Sequence, residues 1–245
     1  MNMVGDRLIR KLECRALLPM EDKWVLSAAA AASVFRFGAH EYLLKQGAPI
    51  DRIFLIIEGF AARYRLLPDG RRQITAFMLP GDICDVRSFA LGQMDHSIIA
   101  LSPVEASVLT ADAVERLQLR PRLATTLAWS ALVQQSIARE WLVNVGHRTS
   151  FERLGHLLCE LFERLRVVGL AQDEGYKLPL TQSDIADTLA ISPVHVNRTL
   201  MEMRRSELVT FQSRHVVFHD YAALSRAAGF DPAYLHLHSP NTVPA

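Results

Sequence analysis

The hydrophobic and polar positions of this chain change period several times along its length. Over residues 1–32 apolar side chains recur at helical steps, at Leu8, Leu12, Leu17 and Leu18, and an alanine run follows at 28–32. This spacing predicts packed helix. From Phe35 the texture becomes short apolar stretches, RIFLII, AARYRLL, RQITAFML, SIIAL and VEASVL. Lys45-Gln46-Gly47, Glu58-Gly59, Pro68-Asp69-Gly70 and Pro80-Gly81-Asp82 punctuate this region. Strands at roughly ten-residue spacing with glycine-bearing turns predict a β-sandwich or a closed roll, the latter an antiparallel β-roll of the double-stranded β-helix or jelly-roll kind. Pro68-Asp69-Gly70 predicts a tight hairpin turn.

From Asp112 the helical period returns. Pro121 is placed to start a long helix, where its missing N–H costs nothing. Along that helix Leu123, Leu127, Ala131, Gln134, Ala138, Trp141 and Val145 recur every three or four residues. A stripe of this length fits an interhelical seam and predicts a central helix through which two copies of the chain pair. The alternative is that the same stripe packs on the chain's own β-domain. Residues 146–150 read as a hinge. A second helical run, 151–168, carries Leu154, Leu157, Leu158, Leu161, Phe162 and Leu165 on one face and stops at Gly169, in the position of a C-cap. Residues 171–178 read as a linker, and the last 25 residues, rich in His, Pro and Ser, as a loosely held tail. The expected class is α+β: a roll over 1–112, a dimerisation helix and hinge over 113–147, a winged helix-turn-helix over 148–220, and a tail over 221–245.

The densest signal is LPLTQSDIADTLAISPVHVNRTLMEMRRSELV, residues 178–209. Thr181 precedes a helical pattern with Asp184 three residues on, close to a capping box. Ile185 and Leu189 form its buried face, and Ala186 is small enough for a second helix to approach. After a short turn at Ala190 and Ile191, Ser192-Pro193 is a strong helix start. Val196, Leu200 and Met203 face inward, and Val194, His195, Asn197, Arg198, Met201 and Arg205 face outward. This is helix-turn-helix spacing, with polar residues in the first turns of the second helix, where a recognition helix meets base edges. Asn197 has the chemistry to bond adenine and Arg198 to bond guanine. Thr181, Gln182 and Ser183, with Ser192 at the next cap, sit where helix N-termini hold phosphate. VTFQ, Ser213-Arg214-His215 and VVFH read as a two-stranded wing with Arg214 at its tip.

Composition tempers this picture. Lys+Arg is 27 and Asp+Glu is 26, a net charge of +1, so no overall basic field announces nucleic acid. The motif itself, residues 181–215, holds four Arg and four acidic residues. Two amphipathic helices and a hairpin occur also in proteins that never touch DNA. Twenty-three of the basic residues are Arg, the side chain suited to bidentate contacts with phosphate and base edges. Cys14, Cys84 and Cys159 have no CxxC spacing, which argues against a disulfide framework or a cysteine metal site. The first residues lack the apolar core of a signal peptide, and the longest apolar run, 25–35, is too short to span a bilayer. The expected compartment is the cytoplasm, with no membrane partner.

The chain resembles the Crp/Fnr family of bacterial transcription regulators over nearly its whole length. GAPIDRIFLIIEGFAARYRLLPDGRRQITAFMLPGD is similar to that family's cyclic-nucleotide-binding roll, and TQSDIADTLAISPVHVNRTL to its helix-turn-helix. The resemblance implies a homodimer on double-stranded, palindromic DNA, with RNA polymerase as partner if the chain activates. It also implies a small-molecule effector or redox signal read in the roll. The effector pocket implied by position comprises Asp82, Cys84, Asp85, Val86, Arg87, His96 and Ser97. The departures are specific. Cyclic-nucleotide binders carry Gly-Glu where this chain has Asp85-Val86, and Arg-Ser where it has His96-Ser97. The Glu that would hold the ribose is Val86. The Arg that would pair the phosphate is His96, a weaker, pH-dependent cation. Cyclic AMP is therefore not expected. Cys14 alone cannot hold an oxygen-sensing cluster; haem through His40 or His96 stays open. In the second helix, Val194 replaces a Glu with which many members read cytosine.

Other readings carry less. His215 and His219 fall in a predicted hairpin rather than on a helix, so no metal site is expected there, nor in His236-Leu237-His238. No cofactor is expected. A cupin-like enzyme needs several converging His and Glu ligands, and the roll offers His40, Glu41 and His96. There is no P-loop, HExxH or GxSxG. The chain is expected not to be an enzyme. The remaining alternative is a ligand- or redox-sensing module acting through protein contacts.

Overall fold

The computed structural model describes residues 3–85, 88–172 and 174–237. The chain divides into two compact units, one built from residues up to 65 and 76–135, the other from residues 66–75 and 136–235.

The first unit opens with α1 (Met3–Leu12) and α2 (Met20–Ala31). The predicted single helical segment is split here. Pro19, extended at φ −58° and ψ 152°, ends the connection and starts α2. Strands β1 (Val34–Phe37), β2 (Tyr42–Leu44), β3 (Arg52–Glu58), β4 (Ala61–Leu66), β5 (Arg72–Met78), β6 (Ser97–Ala100) and β7 (Val104–Thr110) follow. They form two sheets, ordered β1-β7-β3 and β2-β6-β4-β5. The expected tight turn joins β4 to β5: Gly70 N donates to Leu67 O at 2.9 Å, and Gly70 has a φ of 85°. Phe54, Ile56, Met78, Cys84, Ile98, Ala100 and Val104 fill one core. Leu8, Leu12, Leu26, Ile53, Leu55, Leu109, Leu117, Leu123 and Leu127 fill a second, where α1, α2, α3 (Ala111–Gln118) and the start of α4 (Pro121–His147) gather. Each such leucine contributes roughly 1.5–3 kcal/mol through burial.

Helix α4 begins at Pro121, and the chain itself covers much of the predicted seam. Leu123 and Leu127 are 0% and 2% exposed inside the chain's own core, with Ala131 packed beside them. Gln134 Nε2 donates to Ile83 O at 3.0 Å, and Trp141 Nε1 donates to the buried Glu160 carboxylate at 2.8 Å. Of that set only Ala138 is exposed. The strongest apolar stripe on the helix serves the chain itself. A second, sparser stripe lies on the other side, with Leu132 59%, Leu142 72% and Val143 45% exposed.

The second unit holds α5 (Ser150–Val167), β8 (Ala171–Gln172), β9 (Gly175–Lys177), α6 (Gln182–Leu189), α7 (Pro193–Arg205), β10 (Val209–Gln212), β11 (His215–Phe218) and α8 (Tyr221–Ala227). The expected linker at 171–178 is instead a short hairpin that extends the wing into a sheet ordered β10-β11-β9-β8. Gly175 permits it: a Cβ there would stand 1.9 Å from Val216 O. The expected loose tail also has structure. Asp220 caps α8 by accepting from Ala223 N at 2.8 Å, and Leu224 and Leu235 are fully buried. Gly155 on α5 leaves the space that α8 fills, since a Cβ there would lie 2.9 Å from Ala228 Cβ. His238 falls outside the described residues.

This packing buries His156 to 1% exposure, stacked on Tyr234 at 5.7 Å and edge-on to Phe230 at 5.1 Å. Burial, reinforced by the nearby Arg148 charge and opposed by Glu140, lowers its pKa to about 4. An unfolded histidine titrates near ~6.5, so below that pH the unfolded chain binds the proton more readily and stability falls. Between pH 7 and pH 5 the second unit should lose about 2 kcal/mol from this group. Urea unfolding at the two pH values measures it. His156→Phe, which keeps the ring contacts, should flatten the difference; an unchanged slope would remove His156 as its source.

Candidate nucleic-acid interface

The geometry of α6 and α7 is set by their caps. Thr181 Oγ1 accepts from Asp184 N at 3.1 Å, and Asp184 Oδ2 accepts from Thr181 N at 2.9 Å, closing the capping box. Thr181 also directs its hydroxyl proton to Asp184 at 2.7 Å, so that donor is engaged within the chain. Gln182 and Ser183 remain exposed in the first turn. Ala190 ends α6 in the left-handed region, at φ 54° and ψ 42°. For an alanine this conformation costs about 1 kcal/mol, and it sets the turn between the helices. Ser192 caps α7, accepting from His195 N at 3.3 Å, and its Oγ lies 3.0 Å from His195 Nδ1. The His195 ring is thereby drawn to the cap. Val196, Thr199, Leu200 and Met203 are buried under α7. Val194, Asn197, Arg198, Met201 and Arg205 stand outward.

At the wing, Ser213 and Arg214 link β10 to β11 with φ values of 51° and 60°. Two consecutive left-handed residues make the turn that matches strand twist, ordinarily filled by Asn-Gly. The strain is sustained by Leu178 N, which donates to Arg214 O at 2.8 Å, and it projects the Arg214 side chain to solvent. His219 Nε2 lies 2.9 Å from Thr210 Oγ1.

One interaction was not legible in the motif. Arg72, on the 66–75 segment of the same unit, donates to Asp184 Oδ1 and Asp187 Oδ2, both at 2.7 Å. Gln73 Nε2 donates to Thr188 O at 3.1 Å. Two of the motif's four acidic side chains are thus paired by one guanidinium from outside it. Among the described residues Arg198, Arg205 and Arg214 form no ion pair, so the outer face of the motif is net positive.

Comparison with known proteins places this arrangement. Residues 34–120 match the cyclic nucleotide-binding domain, and residues 152–227 match the Crp-like helix-turn-helix domain. The transcriptional activator protein FnrL of Cereibacter sphaeroides is 26% identical over 238 residues, 93% of this chain and 92% of its own length. The transcriptional activatory protein AadR of Rhodopseudomonas palustris is 30% identical over 181 residues, 71% of this chain and 72% of its own length. The chain belongs to the Crp/Fnr family of transcription regulators. The structure of FixK2 from Bradyrhizobium japonicum shares the fold, with a TM-score of 0.71 at 24% identity over 79% of this chain and 96% of that one.

The roll of this Crp/Fnr member departs from a nucleotide cassette. Asp85 takes a left-handed φ of 54° and pairs with Arg63 of β4. Its other oxygen lies 3.0 Å from His96 Nε2, while His96 Nδ1 lies 2.5 Å from Asp95 Oδ1. Burial alone would push the Asp85 carboxyl up, but the His96 hydrogen bond and the Arg63 charge outweigh it and hold the carboxyl below the usual range. A carboxylate of the chain itself therefore occupies the Arg63 guanidinium and the His96 ring that an anion would need. Both His96 nitrogens face carboxylates, which leaves neither directed at a haem iron. The other described residues of the expected pocket are each engaged within the chain. Asp82 is buried, pairs with Lys11 and accepts from Leu79 N at 2.9 Å. Cys84 is buried core, with its thiol pKa pushed up by burial. Ser97 Oγ accepts from Gln46 N at 3.0 Å. Val86 and Arg87 lie outside the described residues.

Among the described residues no helix is long and apolar enough to cross a membrane, and no group of three or more His, Cys, Asp or Glu gathers as for a metal.

Proposed function

We propose that this Crp/Fnr regulator binds a palindromic operator as a homodimer, with α7 reading bases, the wing and the α6 N-terminus holding phosphates, and the roll working without cyclic nucleotide. The observation that carries the reading is the outer face of α7, where Asn197 and Arg198 stand exposed beside a buried face that fixes the helix. Asn and Arg are the side chains that bond adenine and guanine edges in bidentate fashion. The relatives FnrL and AadR are named as activators. Activation here would add RNA polymerase as a partner.

Arg198→Ala should lower specific affinity by about 1–3 kcal/mol and relax preference at one base pair per half-site. Arg214→Ala should weaken operator and random DNA alike, as the loss of a phosphate contact does. Electrophoretic titration of both variants on the two DNAs separates the roles. Equal losses on both DNAs for Arg198→Ala would remove it from base reading.

The roll argues against a cyclic phosphate. Such a ligand brings a full negative charge that needs fixed cations, and the Asp85 carboxylate already holds Arg63 and His96. Calorimetry with cyclic AMP on the unmodified protein should show no binding. A dissociation constant in the low micromolar range, with a matching gain in DNA affinity, would contradict this part of the reading.

A further inference from the structure

Val194 is the second residue of α7 and, at 77% exposure, the most exposed large apolar side chain among the described residues. Folding gains nothing from it, since the packed face of the helix is Val196, Thr199, Leu200 and Met203. Its place is nevertheless fixed. Pro193 presets the backbone before it, Ser192 and His195 close the cap around it, and a β-branched side chain in a helix holds one χ1 rotamer. Asn197, Arg198 and Met201, at i+3, i+4 and i+7, place Val194 on one outward stripe with the polar reading groups. A stiff isopropyl group is thus presented at the end of α7 that meets base edges in this motif.

We propose that Val194 reads the C5-methyl group of a thymine in each half-site; this rests on the DNA-binding reading above. In the major groove thymine is the one base that presents a methyl group, and apolar side chains contact it. Against the amino group of cytosine or the acceptors of guanine, an isopropyl group would leave polar edges without a partner in a closed interface. Val194 therefore both favours thymine and disfavours a G·C pair. The specificity of this position comes from shape and desolvation rather than from a hydrogen bond.

The test begins by selecting the operator from random duplexes with the full-length protein. Each thymine of the half-sites is then replaced in turn by deoxyuridine, which pairs identically and lacks the methyl group. At one symmetric position the replacement should weaken binding about fourfold per half-site, about fifteenfold for both, as burial of one methyl implies. With Val194→Ala the same replacement should change affinity less than twofold, while the variant still responds to guanine changes through Arg198. A uracil effect of equal size in both proteins, or none at any thymine, overturns the assignment and leaves the DNA-binding reading standing. Failure to select any sequence would sink the DNA-binding reading itself, and this assignment with it.

Discussion

Glu160→Ala should destabilise the second unit by about 3–5 kcal/mol, the largest loss expected from a single truncation in it. Glu160 is fully buried, and its carboxylate collects donors from three places. Trp141 Nε1 of α4 and Tyr234 OH each donate to one oxygen at 2.8 Å, and Arg164 of α5 donates to the other at 3.0 Å. The network ties the end of the long helix, α5 and the segment after α8 into one body. Removing the carboxylate leaves a guanidinium and two neutral donors facing apolar surroundings, where an unpaired group retains its full desolvation penalty. Tyr234→Phe removes one hydrogen bond to the carboxylate and should cost about 1.5–3 kcal/mol. Urea unfolding of the three proteins at pH 7 should rank them in that order. A loss below about 1 kcal/mol for Glu160→Ala would mean that the network is not what joins these elements.

Leu132→Glu should convert the protein from dimer to monomer. Leu132, Leu142 and Val143 form the exposed apolar stripe of α4, and a second copy of this chain is the partner that covers it in the proposed dimer. A two-fold axis places each substitution in the interface twice. At about 3 kcal/mol per unpaired buried charge the penalty is about 6 kcal/mol, or four orders of magnitude in dissociation constant. Leu142→Glu should act the same way. Leu127→Glu is the contrasting variant: its side chain is 2% exposed in the first unit's own core, so it should unfold that unit rather than separate folded copies. Light scattering and circular dichroism together distinguish the outcomes. A folded dimer that persists in both Leu132→Glu and Leu142→Glu would move the interface elsewhere.

The two helices of the DNA-reading motif were legible because their caps are local chemistry. Thr181 with Asp184, and Ser192 with Pro193, mark starts that the structure places at Gln182 and Pro193. The β4–β5 turn was legible for the same reason, through Pro68-Asp69-Gly70. What the chain concealed depends on distance or on choice of partner. The Arg72 fork joins residues 112 and 115 positions apart, and nothing in the sequence near Asp184 or Asp187 announces it. The α4 stripe was visible, but periodicity reports that a face is buried and not what buries it. With Leu123 and Leu127 already enclosed by the chain's own core, the side of α4 left exposed carries the weaker pattern at Leu132 and Leu142, where the proposed dimer would pair. The α8 segment was hidden by its small residues, Ala222, Ala223, Ala227 and Ala228; it packs on α5 through Leu224 and Ala228, where Gly155 makes room. The Asp85 cluster was half legible: the substitutions at 85 and 96 stood out, whereas Arg63 as their partner did not.

Equilibrium binding of the full-length protein to its selected operator and to a scrambled duplex, repeated from 50 to about 200 mM salt, tests the central reading most directly. The account predicts an operator preference of at least about 10³-fold, with both affinities falling steeply as salt rises. It also predicts that Arg198→Ala reduces that preference. Equal affinity for the two duplexes, or binding indifferent to salt, would contradict a sequence-reading role for α7.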